Sequence, residues 1–480
     1  EMFRYITRDA VKWTDMDQAY DVVVVGKDKV SIRGEVDPDY SYPDHRRVIR
    51  DLKGIFPKED HAAIDLHFKY VRLVMKLIPM YAVVRMLPSS IQMGLERCFP
   101  TYIRLFTHTT QQILDSLTNN LKLKGILSYV YADYGEVPTR GSFAVNALIW
   151  DHFQSGAMYP VGGPSVIAQS IGPIIKDAGG AVLVRAPVST LLFDDSHDTV
   201  IGVEVKGKKI YAPIVISSIG APQTFQKLVP LSHRYLVERE LEGIQHPDIV
   251  SHLSLMSLFI GLKTSEDGKK CGGIDLASSL SSQNYWLFPS WDHSANWQEY
   301  GNNSDSNSND NDDPPSPPPA VFISFPSAKD PTYNTRHPNR QVAVVIGPSK
   351  FTEVQKHQHE RVKHRGSNYT ALKESYKAAL LQTFIQEFPH LEDAIDFVDL
   401  GTAVTNDYYL GTYRGAVYGL GHTPHRFRQT WLRPETPVKG LYLAGQDVMS
   451  AGIVGALIGG VRCTISLDKS RLVTVGHLLV

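Results

Sequence analysis

The chain has 480 residues, of which 42% are hydrophobic, 10% aromatic and 21% charged, enough apolar material for large packed cores and too much for bulk disorder. Lys plus Arg number 49 against 50 for Asp plus Glu, and at a net charge of -1 no broad positive field exists to gather a phosphate backbone, which excludes nucleic acid as the main partner. Three widely spaced cysteines, Cys98, Cys271 and Cys463, exclude a disulfide framework or a Cys-x-x-Cys zinc site and predict ordinary buried thiols.

The first residue is Glu1, and no basic-then-apolar signal segment follows, so the sequence reads as a fragment or a chain processed upstream. No charge-free apolar run makes a spanning helix of roughly 18 residues, because residues 153–175, the longest candidate, contain Pro160, Pro164 and Pro173. Segment 21–26 (DVVVVG) looks like the first strand of a Rossmann unit, yet Gly26 is followed by Lys-Asp-Lys and a second strand-like stretch at 30–33. A hairpin is predicted there, since a dinucleotide site needs Gly-x-Gly-x-x-Gly opening a helix. Residues 60–121 turn helical, with Leu66, Tyr70, Leu73, Leu77, Ile91 and Leu95 at three- and four-residue intervals. Their greasy faces read as a core helix pair, or as a membrane-resting entrance over residues 79–95 flanked by Arg72, Lys76 and Arg85.

At 159–164 (YPVGGP) the chain enters a helix carrying Val166, Ile167, Ile171 and Ile174, stopped by Gly179 and Gly180. Strands are predicted at 181–184, 188–193, 201–205 and 210–217, forming a meander that runs into Ser218, Ile219 and Gly220. Further strands at 253–263, 321–325 and 341–347 flank a tract at 302–319 made of Asn, Ser, Asp and Pro, which reads as a disordered insertion. His357, His359 and His364 lie in a Lys- and Arg-rich stretch without acidic or Cys partners and read as a solvated loop, so no metal site is expected. Residues 370–388 form an amphipathic helix.

The sharpest signal is C-terminal. Segment 440–445 (GLYLAG) is a buried-strand run ending in Gly, followed by Gln446, Asp447 and, from Ala451, a helix beginning AGIVGALIGG. Small residues let backbone approach a flat ligand, and a helix N-terminus offers unpaired N–H groups to a carbonyl edge or a phosphate. A tightly packed glycine-rich helix is the competing reading.

These residues resemble the FAD-closing motif of the phytoene desaturase, carotenoid isomerase and amine oxidase superfamily, as do 415–422 (GAVYGLGH) and 432–437 (LRPETP). Within that superfamily the sequence is similar to the retinol saturase family at 159–164, 178–183 (AGGAVL), 213–217 (PIVIS), 325–332 (FPSAKDPT) and 443–447 (LAGQD), in the family's order over nearly the whole chain. The resemblance implies an α/β fold: a FAD-binding Rossmann-like domain, lacking its first βαβ unit in this sequence, interleaved with an α+β substrate domain. Residues 1–155 and 225–400 would form the substrate domain, and 156–224 and 401–480 the FAD-binding domain. It implies that Val188 bonds the adenine, Ser218 and Gly220 border the nucleotide cleft, Gly445, Gln446 and Asp447 meet the pyrophosphate and ribityl chain, and Gly452, Ile453, Val454 and Gly455 meet the isoalloxazine. Tyr413, Arg414 and Tyr418 are candidates for moving a proton. The implied activity is saturation of the 13,14 double bond of all-trans-retinol, with FAD as cofactor, NAD or NADP as a further cofactor, and the endoplasmic reticulum membrane surface as location. A carotenoid isomerase or desaturase activity, and a polyene-binding protein without turnover, are the alternatives; the second follows from the missing Gly-x-Gly-x-x-Gly.

Overall fold

The computed structural model describes residues 2–34, 45–84, 87, 91, 94, 98–251, 253–264, 276–302, 318–362 and 364–470. Most of the expected insertion at 302–319, much of the segment 79–95 and Cys271 therefore lie outside the described residues. After a short helix, Met2–Thr7, strand β1 (Trp13–Asp15) leads into β2 (Ala19–Val25) and β3 (Asp28–Arg33), an antiparallel hairpin whose turn holds Gly26 at φ +58. The valine run of β2 is buried because the strand lies inside a sheet, and it opens no βαβ unit.

Helices Arg46–Ile55, His61–Val84, Thr110–Asp115, Leu121–Ser128 and Phe143–His152 enclose one core that includes Phe68, Val71, Leu127 and Trp150. The greasy face of His61–Val84 is core as far as Tyr81 and Val84, while Ile91 beyond it is 49% exposed. Cys98 is exposed, contrary to the buried thiol expected, and Cys463 is buried. Among the described residues no helix is long and apolar enough to cross a membrane.

Strand β4 (Met158–Pro160) pairs with β1, and the helix Ser165–Asp177 that follows buries none of its residues. Residues 181–184 are irregular rather than a strand, with Val184 81% exposed, because no described strand offers them a ladder. Strands β5 (Val188–Phe193), β6 (Val200–Val205) and β7 (Lys208–Tyr211) form the expected meander. The single strand expected at 210–217 is broken around Pro213, which has no N–H to donate, so β8 (Val215–Ser217) leaves for another sheet.

Strands β9 (Ser254–Lys263), β10 (Asn284–Phe288), β11 (Val321–Ser324), β12 (Arg340–Ser349) and β13 (Ile395–Gly401) complete a seven-stranded sheet in the order β13-β9-β12-β11-β10-β2-β3. All neighbours are antiparallel except β10 with β2. The helix Ser367–Glu387 covers it through Leu380 and Phe384, which pack with Leu258, Ile260 and Ile323. His357 is buried with its Nδ1 3.0 Å from Glu360, so the histidine stretch does contain an acidic partner. The block 325–332 acts as a structural clamp. Its Asp330 accepts the Gly162 N–H at 3.1 Å and pairs with Arg336, fixing the glycine turn of 159–164 to the connection between β11 and β12 of the large sheet.

Strand β14 (Leu441–Leu443) pairs in parallel with β8, Leu443 opposite Ser217. A third core, with Phe225, Trp431, Leu441 and Leu443, backs this pair.

Candidate active site

Strands β8 and β14 run side by side, so both carboxyl ends open on one crevice, where open parallel sheets bind nucleotides. After β8 the chain turns through Ser218, Ile219 and Gly220, the glycine at φ +101; after β14 it turns through Gly445 at φ +87. Both glycines adopt a backbone that side-chain-bearing residues rarely reach. Ser218, Gly220, Gln446 and Asp447 line one cavity of about 160 Å³ together with Tyr413, Ala416 and Gly419.

Buried polar side chains fasten these turns to one another. Asp447 accepts the Ala221 N–H on Oδ2 at 2.7 Å and the Leu420 N–H on Oδ1 at 3.0 Å, tying the turn after β8 to the 415–422 loop. Arg426, almost fully buried, donates to the carbonyls of Leu420 at 2.6 Å, Gln446 at 2.7 Å and Asp447 at 3.2 Å. Burial, and then the Arg426 charge, hold His422 well below its ordinary pKa. The neutral ring can accept the Ala451 N–H on Nε2 at 2.8 Å, which aims the start of the helix Gly452–Leu467. Glu136 packs against Gly421, where a Cβ would fall 2.6 Å from its Oε1; burial pushes its carboxyl up to about 7 despite Arg140 beside it.

The helix Gly452–Leu467 presses on the Gly445 turn: a Cβ on Gly459 would meet the Gly445 carbonyl at 2.2 Å, and one on Gly455 the Ser450 carbonyl at 2.2 Å. Its first turn is different. Gly452, at φ +82, has nothing within 4 Å of an added Cβ, Ile453 is exposed, and the cap residue Ala451 has no side-chain acceptor for the first N–H groups. An open glycine at an uncapped helix start, beside a crevice at two parallel strand ends, fits the flat ring and polar chain of FAD. Ser218, Gly220, Gln446 and the first turn at Gly452, Ile453 and Val454 are the residues that would hold it.

Not every candidate arrives at the cleft. Val188 begins β5 and is not among the residues lining it. Arg414, at φ +53, lays its guanidinium 5.8 Å over the Phe351 ring, while its carbonyl accepts from Ser254. Gly455 is buried against Ser450 and serves packing rather than an open face.

Tyr418, next to Gly419 of the cleft, lines a second, mostly apolar cavity of about 180 Å³ walled by Leu253, Leu255, Trp286, Trp297, Phe322, Ile346 and Pro348. Burial, with a contribution from the charge of Asp133, raises its phenol well above the ordinary value. The cleft and the apolar pocket thus share one stretch of chain at Tyr418–Gly419. Sequence reasoning missed this pocket, since its wall comes from several strands of the large sheet. It missed Arg426 and the bonding of His422 as well, although the one-turn spacing of His422 and Arg426 was a signal available beside the glycine motif.

Below the pocket, Asp21 accepts from Tyr129 at 2.8 Å and from Asn284 at 2.9 Å, and Lys329 of the 325–332 block bonds Asn284. Burial lowers Lys329 to about 8, against the opposing pull of Asp21. Elsewhere, His246, Asp248 and His425 bring potential ligand atoms within 4.8 Å of one another, with Arg140 3.6 Å from Asp248 competing for that carboxylate.

A nucleotide crevice at the ends of two parallel strands, joined to an apolar pocket on an antiparallel sheet, defines a two-domain oxidoreductase of the flavin-binding type. In fold the chain is similar to an oxidoreductase from Methanosarcina mazei, with a TM-score of 0.54 at 13% identity over 96% of this chain and 82% of that one. No protein-family model matches. In sequence it is 34% identical over 483 residues to the all-trans-retinol 13,14-reductase of Rattus norvegicus, covering 97% of this chain and 74% of the relative. It is 32% identical over 474 residues to that of Danio rerio, covering 95% and 73%. The chain belongs to the all-trans-retinol 13,14-reductase family, and a 26% match over 376 residues to prolycopene isomerase of Arabidopsis thaliana places that family beside the carotenoid isomerases.

Proposed function

We propose that this protein is a FAD-dependent reductase that adds two hydrogens across the 13,14 double bond of all-trans-retinol, giving all-trans-13,14-dihydroretinol. The observation that carries the reading is that adjacent residues Tyr418 and Gly419 line a mostly apolar cavity and a polar cleft at two parallel strand ends, in a chain 34% identical to a named reductase. FAD, when bound, supplies the hydride chemistry. The chain's own residues bind and exclude water: Trp286, Trp297, Phe322 and Ile346 line the dry wall against which a rigid polyene is oriented. Tyr418 keeps its proton at neutral pH and lines the apolar cavity one residue before Gly419 of the cleft. NAD or NADP as the source of electrons, and the endoplasmic reticulum membrane as the site of action, are part of the proposal. The exposed Ile91 and Phe99 support a membrane-facing mouth, and Ile91→Glu should reduce co-sedimentation with liposomes.

The decisive experiment loads the chain with FAD, reduces it chemically without oxygen and adds all-trans-retinol. A product two hydrogens heavier with a shortened chromophore supports the reductase. An isomer of unchanged mass hands the function to the isomerase alternative, and bound but unaltered retinol to a polyene-binding protein.

A further inference from the structure

Asp133 lines the apolar pocket, and Asp21 lies close enough to act on it by charge; the two acids are treated differently. Asp21 is satisfied by Tyr129 and Asn284. Asp133, the last residue of the 3-10 turn Tyr129–Asp133, borders the cavity, and among the described residues no donor or cation bonds to its carboxyl. What faces it electrostatically is the Asp21 carboxyl and the phenols of Tyr20, Tyr129, Tyr134 and Tyr418. Asp133 is half-buried, and its carboxyl lines the mostly apolar cavity, where a ligand's polar group could bond to it. Burial, and then the charge of Asp21, raise the Asp133 carboxyl well above the ordinary carboxylate range. A neutral carboxyl presents one O–H donor and one carbonyl acceptor. An alcohol hydroxyl is the small group that satisfies both without bringing a charge into an apolar pocket.

Position supplies the second argument. Gly135, two residues further on, is the surface on which Tyr418 rests: a Cβ there would fall 2.6 Å from Tyr418 Cδ2. Asp133 is therefore held at the Tyr418 end of the pocket, the end that adjoins the cofactor cleft. In all-trans-retinol the carbon bearing the hydroxyl is bonded directly to the 13,14 double bond, so a polyene whose reacting bond lies at the cleft must present its hydroxyl at this end.

We propose that Asp133 holds the hydroxyl of the allylic alcohol, fixing which double bond reaches the cofactor and selecting polyene alcohols over polyene hydrocarbons. The inference rests on the retinol reduction proposed above and adds a substrate-binding residue to it.

The test compares all-trans-retinol with its methyl ether and its 15-deoxy hydrocarbon in the FAD-loaded full chain and in Asp133→Asn and Asp133→Leu. The unsubstituted protein should prefer retinol to the hydrocarbon by roughly ten- to hundred-fold in kcat/KM. Asp133→Leu should bring that ratio near one, and Asp133→Asn, which keeps a donor and an acceptor, should retain an intermediate preference. A flavin-free measurement runs beside it: quenching of tryptophan fluorescence by each polyene, where the affinity difference between retinol and hydrocarbon should vanish in Asp133→Leu. If that variant does not fold, the reduced preference of Asp133→Asn decides. Equal binding of alcohol and hydrocarbon by the unsubstituted protein, or full preference in both variants, overturns the inference. Loss of turnover on every substrate with an unchanged binding preference also overturns it, making Asp133 a proton donor instead. Failure of the reduction itself would show as no turnover of retinol by the unsubstituted protein, and the quenching comparison would still decide the role of Asp133.

Discussion

In the seven-stranded sheet, Leu258, Ile260, Ile323 and Val345 are buried to 1% exposure or less on one face while Phe259 and Phe397 are about half exposed on the other; Ile216 of β8 and Ile219 of the turn after it are likewise half exposed, at 50% and 52%. The first region rests chiefly on large apolar cores, with the bonds of Asp21 to Tyr129 and Asn284 as a buried polar tie within it. The second has a core on one side only, and its cleft is fastened by Asp447, Arg426 and His422. Parallel strands are ordinarily covered on both faces, and a pair of them is marginal by itself. The contrast teaches that the large sheet is stabilised mainly by packed apolar cores, while the region around β8 and β14 depends more on glycine turns and polar fasteners, which leave an open cleft.

The largest effects should come from one deletion on each side. Ile323→Ala and Arg426→Ala should each lower unfolding free energy by roughly 3 to 5 kcal/mol, the first by a cavity and the second by leaving buried carbonyls unpaired. Denaturant melts check both, and a cost below about 1 kcal/mol for Arg426→Ala would break the idea of polar fastening.

The next effect is pH-dependent and specific to the cofactor side. Glu136 titrates near 7 in the fold against 4.5 in its ordinary state, so its contribution is full below pH 4.5 and is lost as pH rises through about 7. The difference amounts to roughly 3 kcal/mol. Glu136→Gln should flatten the decline in stability between pH 5 and 7, as measured by thermal melts across that range.

Gly452→Val should separate fold from cradle. No protein atom lies within 4 Å of the added Cβ, so the expected cost is chiefly the left-handed backbone, about 1 to 3 kcal/mol. FAD affinity, followed by flavin fluorescence titration, should fall much more. Equal losses in both would mean the open space belongs to packing and not to a cofactor.

The smallest effect sharpens the comparison most. Ile216→Ser should change stability by no more than about 0.5 kcal/mol in this chain, since half of its surface is already in water. A loss approaching that of Ile323→Ala in the same melts would show that the outer face of β8 is covered after all.

Much of this was legible in one dimension. The hairpin at β2 and β3 followed from Gly26 leading into a second strand, the meander from alternating residues and polar turns, and the cleft turns from glycines after β8 and β14. The break around Pro213 was readable from its missing N–H and was overlooked. Residues 181–184 have the composition of a strand without a partner to pair with, which composition does not reveal. Asp447 illustrates the limit for the site: an acid after a strand-ending glycine suggests a ligand contact, whereas both of its oxygens accept backbone N–H groups from segments 226 and 27 residues away.

By itself the sequence determined the periodicities, the turn glycines and the ordered motif blocks, because these depend on φ preferences and local burial patterns that neighbours in the chain impose. Only the tertiary structure decided that adjacent residues Tyr418 and Gly419 line different cavities, that Asp133 faces one of them without a partner among the described residues, and that Arg426 bonds carbonyls instead of a ligand. Those facts depend on distances between residues far apart in the chain, and on whether a polar group, once dehydrated, finds its bond inside the protein or keeps it for a ligand.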